Sequence, residues 1–292
     1  MTLDRTGLRT RINDLYRREH EELGDAGTYA MLDEARRWDL SGLLSGGGVV
    51  TFAHVNVADC GAHVAAAVNA ALDSGADTLL AVSVLHAFTE EMELARQDVS
   101  AGGGSPSSHP TWGIQGPGLD FREEWQEDHA MRSLRHFWEA ETRRRGIGGR
   151  RLVERYPFLA GGRPGELPNI DEVADIAENA VIVATGDQFH HGIGYGMTEE
   201  ESLQPEPEGL EAARASMEIG ISLIDDGDYA GYDHHCVLAK SDDRDAAQVY
   251  RFLRGPLRGR LIDIGWSDAT GLYDQPPPTW AAGGLIGFEK AT

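Results

Sequence analysis

The sequence predicts a three-layer α/β fold, in which a central, mostly parallel or mixed sheet is flanked by helices. Two apolar segments, residues 49–53 and 78–84, have the length and composition of buried strands, and an alanine-rich helical segment at 62–73 lies between them. This order forms a βαβ unit, which joins parallel strands through a right-handed crossover. A third apolar strand at residues 180–185 extends the same sheet.

The N-terminal part of the chain is predicted to be helical. Leu8, Ile12, Leu15 and Tyr16 fall on one face of a helix, which is typical of an amphipathic segment. We therefore divide the chain into an N-terminal helical segment, residues 1–45, and a single α/β domain, residues 46–292, which is the metal-binding and catalytic unit in the interpretation developed below.

The remaining elements follow from local composition. Residues 100–118 are rich in Gly, Ser and Pro and predict a long loop, either a cover over a site or a disordered segment. A charged helix is expected at 122–145 and a second helix at 209–225. Two late strands, residues 261–266 and 284–288, complete the predicted sheet.

The composition excludes several classes of partner. The chain has 292 residues with 26 Lys and Arg against 48 Asp and Glu, a net charge of −22, so we expect neither a nucleic acid nor a membrane as partner. The two cysteines do not make a disulfide framework, and the first residues form no apolar signal segment, so we expect a cytoplasmic protein. We also expect a homo-oligomer, namely a dimer.

Histidines follow three of the apolar segments. We expect these three strands to end in histidine: the first at His54, the second just before His86, and the strand at 180–185, with the segment it leads into, at His190. In an open parallel sheet, ligands bind outside the carboxyl ends of the strands, so these imidazoles could converge on one site there. Each histidine taken alone could instead cap a loop or bind a carbonyl group.

A run of four potential ligands, residues 233–236, is a plausible source of a third ligand. Asp233, His234, His235 and Cys236 offer a carboxylate, imidazoles and a thiolate, which suit Zn, Cu or Fe. The alternative is a turn followed by a short strand with a buried, inert cysteine. The chain contains no C-x-x-C pair, no Walker loop and no G-x-S-x-G elbow.

Six short motifs in a fixed order resemble those of Memo-like proteins. Residues 52–54 are similar to the S-P-H-A-G segment of that family, 84–86 to G-P-S-H-H, and 127–131 to E-H-S-I-E. Residues 186–192, with the sequence Gly-Asp-Gln-Phe-His-His-Gly, resemble S-D-F-C-H-W-G, and residues 280–285 resemble the terminal Y-A-A-G-A-L.

The sixth motif is Cys236, which lies where the family carries a cysteine before an R-H-P segment. That segment does not follow Cys236 here, so His235 and Asp233 are alternative third ligands. The sequence also departs from the family pattern after His54, where Val55 begins a different segment, and at Ala87, where Memo-like proteins have a second histidine.

The resemblance implies the fold of class III extradiol dioxygenases, with a mononuclear metal at the carboxyl ends of the strands. It implies His54, His86 and Cys236 as metal ligands. It also implies His190 as the acid–base residue and His129 as a further histidine of the pocket.

The function implied is a non-haem dioxygenase that activates O2 and acts on a catechol-like or ortho-substituted aromatic substrate. Fe(II) is the expected cofactor, and copper or zinc are alternatives. A Memo-like copper or iron protein with a redox or partner-binding role and no ring cleavage is the second hypothesis, and a zinc hydrolase the third. Aromatic residues are candidates for a substrate wall: Trp112, Trp125, Tyr195 and Trp266.

Overall fold

The computed structural model describes residues 5–102, 104–119 and 122–291. Residues 1–4 of the predicted N-terminal segment and residue 103 of the predicted loop lie outside the described residues. The strands are β1 Val49–Phe52, β2 Thr78–Ser83, β3 Gly113–Gln115, β4 Arg151–Phe158, β5 Val181–Thr185, β6 Phe189–Gly192, β7 Leu257–Asp268 and β8 Thr279–Lys290. The helices are α1 Arg5–Glu34, α2 Ser41–Ser45, α3 Val57–Asp73, α4 Glu90–Ser100, α5 Arg132–Arg145, α6 Ile170–Ala177, α7 Pro207–Asp226, α8 Tyr229–Leu238, α9 Arg244–Arg254 and α10 Thr270–Tyr273.

In the described part of the chain, eight strands form one mixed sheet. Its order is β3-β4-β2-β5-β1-β8-β6, and β7 pairs with the other edge of β8. The four strands β4, β2, β5 and β1 are parallel, whereas β3, β6, β7 and β8 pair antiparallel with their neighbours. The parallel centre buries both of its faces, which explains why these strands are continuous apolar runs in the sequence.

Helices cover both faces of the sheet and make three layers. On one face, Val50 and Phe52 of β1 pack in a core with α1, α2, α3 and α5. On the other face, Val49 of β1 and Ile182 of β5 pack with α6, α7, α8 and α9. The alternation of neighbouring residues between the two cores follows from the period of two of a strand. The predicted three-layer α/β fold is therefore confirmed.

The N-terminal helices contribute to the first of these cores. Tyr16 and Leu32 of α1 and Leu44 of α2 are buried in it together with α3. None of the helices that the structure describes combines the length and the apolar character of a membrane span.

Three strands were not predicted from the sequence. β4 does not have the apolar pattern of a buried strand, because it contains charged residues. Glu154 and Arg155 can nevertheless be buried, since Glu154 pairs with Arg135 at 2.6 Å and Arg155 pairs with Glu172 at 2.6 Å. β3 lies inside the predicted loop and pairs with β4. β6 holds His190 within a short strand of its own, so this histidine does not end the strand at 180–185.

Two further local predictions differ from the structure. The segment around Cys236 is the helix α8 and not a turn followed by a strand, because the Asp228 carboxylate caps the helix by accepting from the Gly231 N–H at 2.9 Å. The charged helix begins only at Arg132, after a short 3₁₀ turn at Glu124–Glu127, and ends at Gly146 with φ 65°. The predicted helix at 209–225 is confirmed as α7.

The strand β8 is shared by two strands along one edge. Its residues 286–288 pair with β1 and its residues 279–282 pair with β6. Between these two sections, the Gln188 side-chain oxygen accepts from the Gly284 N–H at 2.7 Å. The chain after β5 is thereby held against the middle of β8, close to the end of β1.

Replacing Gly283 by alanine is expected to destabilise the protein by about 1–3 kcal/mol, because the new methyl group would overpack this junction. An added Cβ would lie 2.5 Å from the Ala53 Cβ and 3.2 Å from the Asp187 Oδ1. Urea unfolding measures the effect. Gly271→Ala is the control, because its Cβ would meet nothing within 4 Å. Equal stabilities for the two variants would contradict the expectation.

Candidate metal centre

The carboxyl ends of three parallel strands bring polar side chains to one edge of the sheet. Phe52 of β1 and Ser83 of β2 both align with Thr185 of β5. His54 follows two residues beyond this level on the first strand, and His86 three residues beyond it on the second. The predicted convergence of these two histidines is observed, since their ring centroids lie 5.1 Å apart.

An aspartate pair completes the edge. Asp187 lies two residues after the end of β5, and Asp242 comes from the loop between α8 and α9. Two hydrogen bonds join these residues: the Asp187 N–H donates to the Asp242 side-chain Oδ1 at 2.8 Å, and the Asp242 N–H donates to the Asp187 carbonyl at 3.2 Å. This exchange fixes one carboxylate oxygen of Asp242 and leaves its Oδ2 facing the histidines.

The Asp242 Oδ2 lies among three imidazole nitrogens. It is 3.3 Å from the Nε2 of His54, 3.3 Å from the Nε2 of His86 and 3.8 Å from the Nε2 of His190. Atoms that bind one ion at about 2.0–2.2 Å are separated by roughly 3.0–3.4 Å. Asp242 therefore lies at ligand spacing from each of His54 and His86, and we call these three residues the candidate metal centre. The potential ligand groups among the described residues are His54 with His86 and His129, and His54 with Asp187 and Asp242.

The tautomer of His54 follows from its hydrogen bonds. The Thr185 hydroxyl donates its only hydrogen to the Phe52 carbonyl at 3.0 Å, so its oxygen must accept from the His54 Nδ1–H at 3.1 Å. The Nε2 of His54 then carries the lone pair. It is buried and has no hydrogen-bond partner among the described residues.

In His86 and His190, as in His54, the Nδ1 nitrogen forms a hydrogen bond within the protein and the Nε2 nitrogen faces the Asp242 carboxylate. The His86 Nδ1–H donates to the Asp128 carboxylate at 3.0 Å, and the His190 Nδ1–H donates to the Lys240 carbonyl at 2.6 Å. Asp128 is itself held by the backbone N–H groups of His86 at 2.8 Å and Ala130 at 2.9 Å. A partner on the remote ring nitrogen is the usual way in which a protein orients a metal-binding imidazole.

The resulting arrangement requires positive charge. Three imidazole lone pairs and one carboxylate face a common point, and without a cation they would repel one another. Burial opposes protonation of His54 and His86, but the nearby carboxylates outweigh it and raise the pKa of both, that of His86 to about 10. The same histidines hold the pKa of Asp242 well below its usual range despite burial. Protons or a metal ion can supply this charge, so the residues fit a divalent ion.

His129 lies beside the centre in a different state. Its ring stacks on that of His86 at 4.2 Å, and ligand atoms of His54, His86 and His129 lie within 4.8 Å of one another. Burial and the charge of His86 lower its pKa well below the ordinary value, so it stays neutral. Its Nδ1 is buried and has no partner among the described residues.

Asp187 offers a second carboxylate at the same point. Its Oδ2 lies 3.7 Å from the Nε2 of His54, and these two residues form a further potential ligand group with Asp242. Burial raises the pKa of Asp187 even though His54 opposes the rise, and Asp242 adds to it. The pKa values of the two carboxyl groups are therefore shifted in opposite directions: Asp242 is strongly ionised, whereas Asp187 binds a proton more readily.

The structure does not bring Cys236 to this centre. Its thiol is buried in the core between the sheet and α7 to α9, and that burial raises its pKa, which favours the neutral thiol over a thiolate ligand. The alternatives are also engaged elsewhere: the His235 Nε2 contacts the Ser216 carbonyl at 2.9 Å, and Asp233 lies near Gln248 at 3.4 Å. In the described part of the chain, none of these three joins a potential ligand group.

A cavity of about 720 Å³ opens onto the candidate metal centre. Tyr195 lines it and contacts His190, with ring centroids 4.6 Å apart. Trp125 and Trp266 pack instead against Tyr156 and Trp280, outside the cavity wall. Other apolar residues of the wall are Leu8, Ile12, Tyr16, Phe88 and Leu272. This volume is ample for a single aromatic ring with substituents.

Sequence reasoning assigned no role to Asp187 or Asp242. Asp187 carried a usable signal, because it lies two residues beyond the apolar strand at 180–185, just as His54 lies two residues beyond β1. Asp242 follows a helix in a polar segment, Ser241 to Arg244, which is typical of a surface turn. No local pattern distinguishes it.

Comparison with known proteins gives no further assignment: no family model matches the chain, and no curated protein is similar enough to count as a match. The resemblance to Memo-like proteins and extradiol dioxygenases therefore remains a prediction carried by its motifs.

Replacing Asp128 by asparagine is expected to weaken divalent-metal binding about 10- to 100-fold. The change keeps the size of the side chain but removes the charge that orients His86 and raises its basicity. Metal titration followed by calorimetry measures the affinity. Asp263→Asn is a matched control, since this residue pairs with the distant His63 at 3.3 Å. Unchanged affinity in Asp128→Asn would show that this carboxylate does not support the centre.

Proposed function

We propose that the protein is a mononuclear metal-dependent dioxygenase that acts on a catechol-like aromatic substrate, with His54, His86 and Asp242 as the metal ligands. The observation that carries the proposal is the position of the Asp242 Oδ2, 3.3 Å from the Nε2 atoms of both histidines. Two histidines and one carboxylate on one side of an ion are the ligand set of non-haem Fe(II) oxygenases, and they leave positions open for other molecules.

A bound Fe(II) ion would supply a Lewis acid and an electron conduit between substrate and O2. Ring cleavage breaks one carbon–carbon bond of the diol and adds both atoms of O2 to the product, so no external reductant is required. The chain itself must then bind the substrate, exclude bulk water and handle the hydroxyl protons. The cavity next to the centre provides room for the substrate.

His190 is suited to accept a substrate proton in this proposal. Its Nδ1–H is fixed by the Lys240 carbonyl, so the lone pair of its Nε2 faces the same space as the Asp242 Oδ2, at 3.8 Å. A diol hydroxyl directed at the centre would come within reach of this nitrogen. An imidazole suits the role because, with one nitrogen fixed as a donor, the other can accept a proton and later return it to the product.

His129 supports the same chemistry as a neutral group. Because its pKa is lowered, His129 is neutral and has one N–H that can donate and one nitrogen lone pair that can accept. A neutral ring also does not repel a metal ion. Its stacking on His86 places it at the rim of the candidate metal centre. It is therefore suited to hydrogen-bond the substrate or O2.

The proposal is tested with protein that has been stripped of metal and reloaded anaerobically with Fe(II), Zn(II) or Cu(I). We expect about one Fe(II) per chain and O2 uptake that matches the loss of an ortho-diol or aminophenol. An iron-loaded protein that consumes no O2 with any member of such a panel would refute the proposal. Copper binding without turnover would favour a Memo-like metal-binding protein, and hydrolysis by the zinc form would favour a hydrolase.

A further inference from the structure

The helix α1 consists of two parts that meet at Gly24. This residue has φ 55° and ψ −176°, which is not a helical conformation, so the helix is kinked there. Residues 5–23 form the first part and residues 25–34 the second. Such a combination of φ and ψ is tolerated almost only by glycine, so the kink depends on the residue type at position 24.

The first part of α1 lies against the cavity that contains the candidate metal centre. Leu8, Ile12 and Tyr16 are spaced by four residues, so they share one face of the helix, and all three line the cavity. The Tyr16 ring reaches deepest among the described contacts of this face, since its centroid lies 5.4 Å from that of His129. The kink at Gly24 therefore directs this part of the helix across the cavity.

Few buried side chains hold the first part of α1 in place. Among residues 7–23, only Leu8 and Tyr16 are buried. The second part is much shorter, yet it also has two buried residues, Thr28 and Leu32, and both are completely buried. A segment with few buried contacts opens at a lower free energy than the rest of a protein.

Some of the polar contacts of the first part lie at the protein surface. The Arg11 Nε donates to the Leu272 carbonyl at 2.9 Å in an exposed hydrogen bond, and Arg9 forms an exposed ion pair with Glu127. A half-buried bond joins the Glu19 Oε2, as acceptor, to the N–H of the first residue of α3 at 2.8 Å. Exposed ion pairs contribute little to stability, so these contacts permit the segment to move.

A chain of side chains fastens the kink to α5. The Thr28 hydroxyl donates to the Gly24 carbonyl at 2.7 Å, so its oxygen accepts from the His136 Nε2–H at 2.8 Å. The His136 ring stacks on that of His20, four residues before the kink, with centroids 4.4 Å apart and 1° between the planes. The His20 Nε2 lies 3.2 Å from the Ser133 hydroxyl. The direction of the first part is thus set by a small number of contacts around Gly24.

We propose that residues 5–23 form a lid that turns about Gly24 and controls access to the cavity. In the closed position, Leu8, Ile12 and Tyr16 cover this side of the cavity. In the open position, Gly24 adopts helical φ and ψ, so the lid continues along the axis of residues 25–34 and leaves the cavity. Hinges of this kind need only one or a few residues that absorb the change in φ and ψ. The proposal concerns entry to the cavity and does not depend on the reaction that takes place there.

Access to the cavity is measured by labelling of the variant Ala87→Cys with dithionitrobenzoate, without metal or substrate. Ala87 follows His86, lines the cavity and is 8% exposed. The two native cysteines are each 1% exposed, so the wild type gives the background rate. Adding Gly24→Ala is expected to speed labelling about 5- to 30-fold, because a positive φ is strained for alanine whereas a helical conformation is not.

Gly75→Ala is the matched control. Gly75 also has a positive φ, 81°, and an added Cβ meets nothing within 4 Å at either glycine. It lies beyond the end of α3 and outside the cavity wall. This substitution therefore introduces the same kind of strain without affecting the lid, and we expect the labelling rate of Ala87→Cys to stay unchanged.

Thr28→Val tests the same hinge by another route, since it removes the hydroxyl that holds the Gly24 carbonyl and keeps the shape of the side chain. It should also speed labelling. Hydrogen exchange of the wild type gives an independent readout, and amides of residues 8–23 should exchange at least about 10-fold faster than those of residues 28–34. Unchanged labelling in both hinge variants, or uniform exchange along α1, would overturn the lid. So would equally fast labelling in Gly75→Ala, because the effect would then come from global unfolding.

Discussion

Replacing Asp242 by alanine is expected to weaken Fe(II) binding by more than about 100-fold, a larger loss than that expected for a residue that only orients a ligand. The Asp242 Oδ2 is an anionic atom that lies 3.3 Å from the Nε2 of both His54 and His86. Without it, the two imidazoles would hold the ion with only the Asp187 carboxylate nearby, which lies farther from His54, at 3.7 Å, and binds protons more readily. Anaerobic titration with Fe(II), followed by elemental analysis after gel filtration, measures the loss.

The same experiment on His54→Ala and His86→Ala is expected to give the same result, because each variant also leaves two of the three ligands. Cys236→Ser is the informative control. Its thiol lies in the core near α7 to α9, so this variant should retain the full metal content. Loss of metal in Cys236→Ser together with retention in Asp242→Ala would reverse the assignment and return the third ligand to Cys236.

Replacing His190 by glutamine is expected to leave metal content unchanged and to lower the rate of diol oxidation about 10²- to 10⁴-fold, the usual contribution of general acid–base catalysis. The amide fills a similar space and can still contact the Lys240 carbonyl, but it cannot take up a proton. Stopped-flow measurement of O2 consumption and substrate absorbance on the iron-loaded protein separates binding from turnover.

A pH series sharpens this prediction. The residual rate of His190→Gln should rise with pH, since the substrate must then lose its proton to solvent. His109→Gln serves as control because His109 lies outside the cavity wall, and it should behave like the wild type. A metal-loaded His190→Gln variant with full activity would remove His190 from the mechanism.

The apolar strands made much of the architecture predictable. Residues 49–53, 78–84 and 180–185 are buried on both faces, so their composition alone marks them as the parallel centre of a sheet. β4 was missed for the opposite reason: its Glu154 and Arg155 are neutralised by Arg135 and Glu172, and those partners lie outside the strand. A pattern of single residues carries no information about such pairs.

Some residues of the candidate site were likewise predictable from the strand pattern, and others were not. His54 and His86 could be found because each follows an apolar strand, and strand ends meet at one edge. Their neighbour His190 reaches that edge by another route, within β6 and through the Lys240 carbonyl. The resemblance of residues 186–192 to a family motif pointed to it, whereas the strand pattern placed it wrongly.

The sequence by itself determined the fold class and the edge of the sheet at which His54 and His86 lie. Local hydrophobic patterns predict which strands are buried, and the order of strands and helices predicts that these strands are parallel. Only the tertiary structure decided the anionic partner. Asp242 reaches the histidines because its Oδ1 accepts from the Asp187 N–H and its own N–H donates to the carbonyl of Asp187, 55 positions away in the chain. A contact between two loops has no periodic signature, so folding alone brings that carboxylate, and not the thiol of Cys236, to the imidazoles.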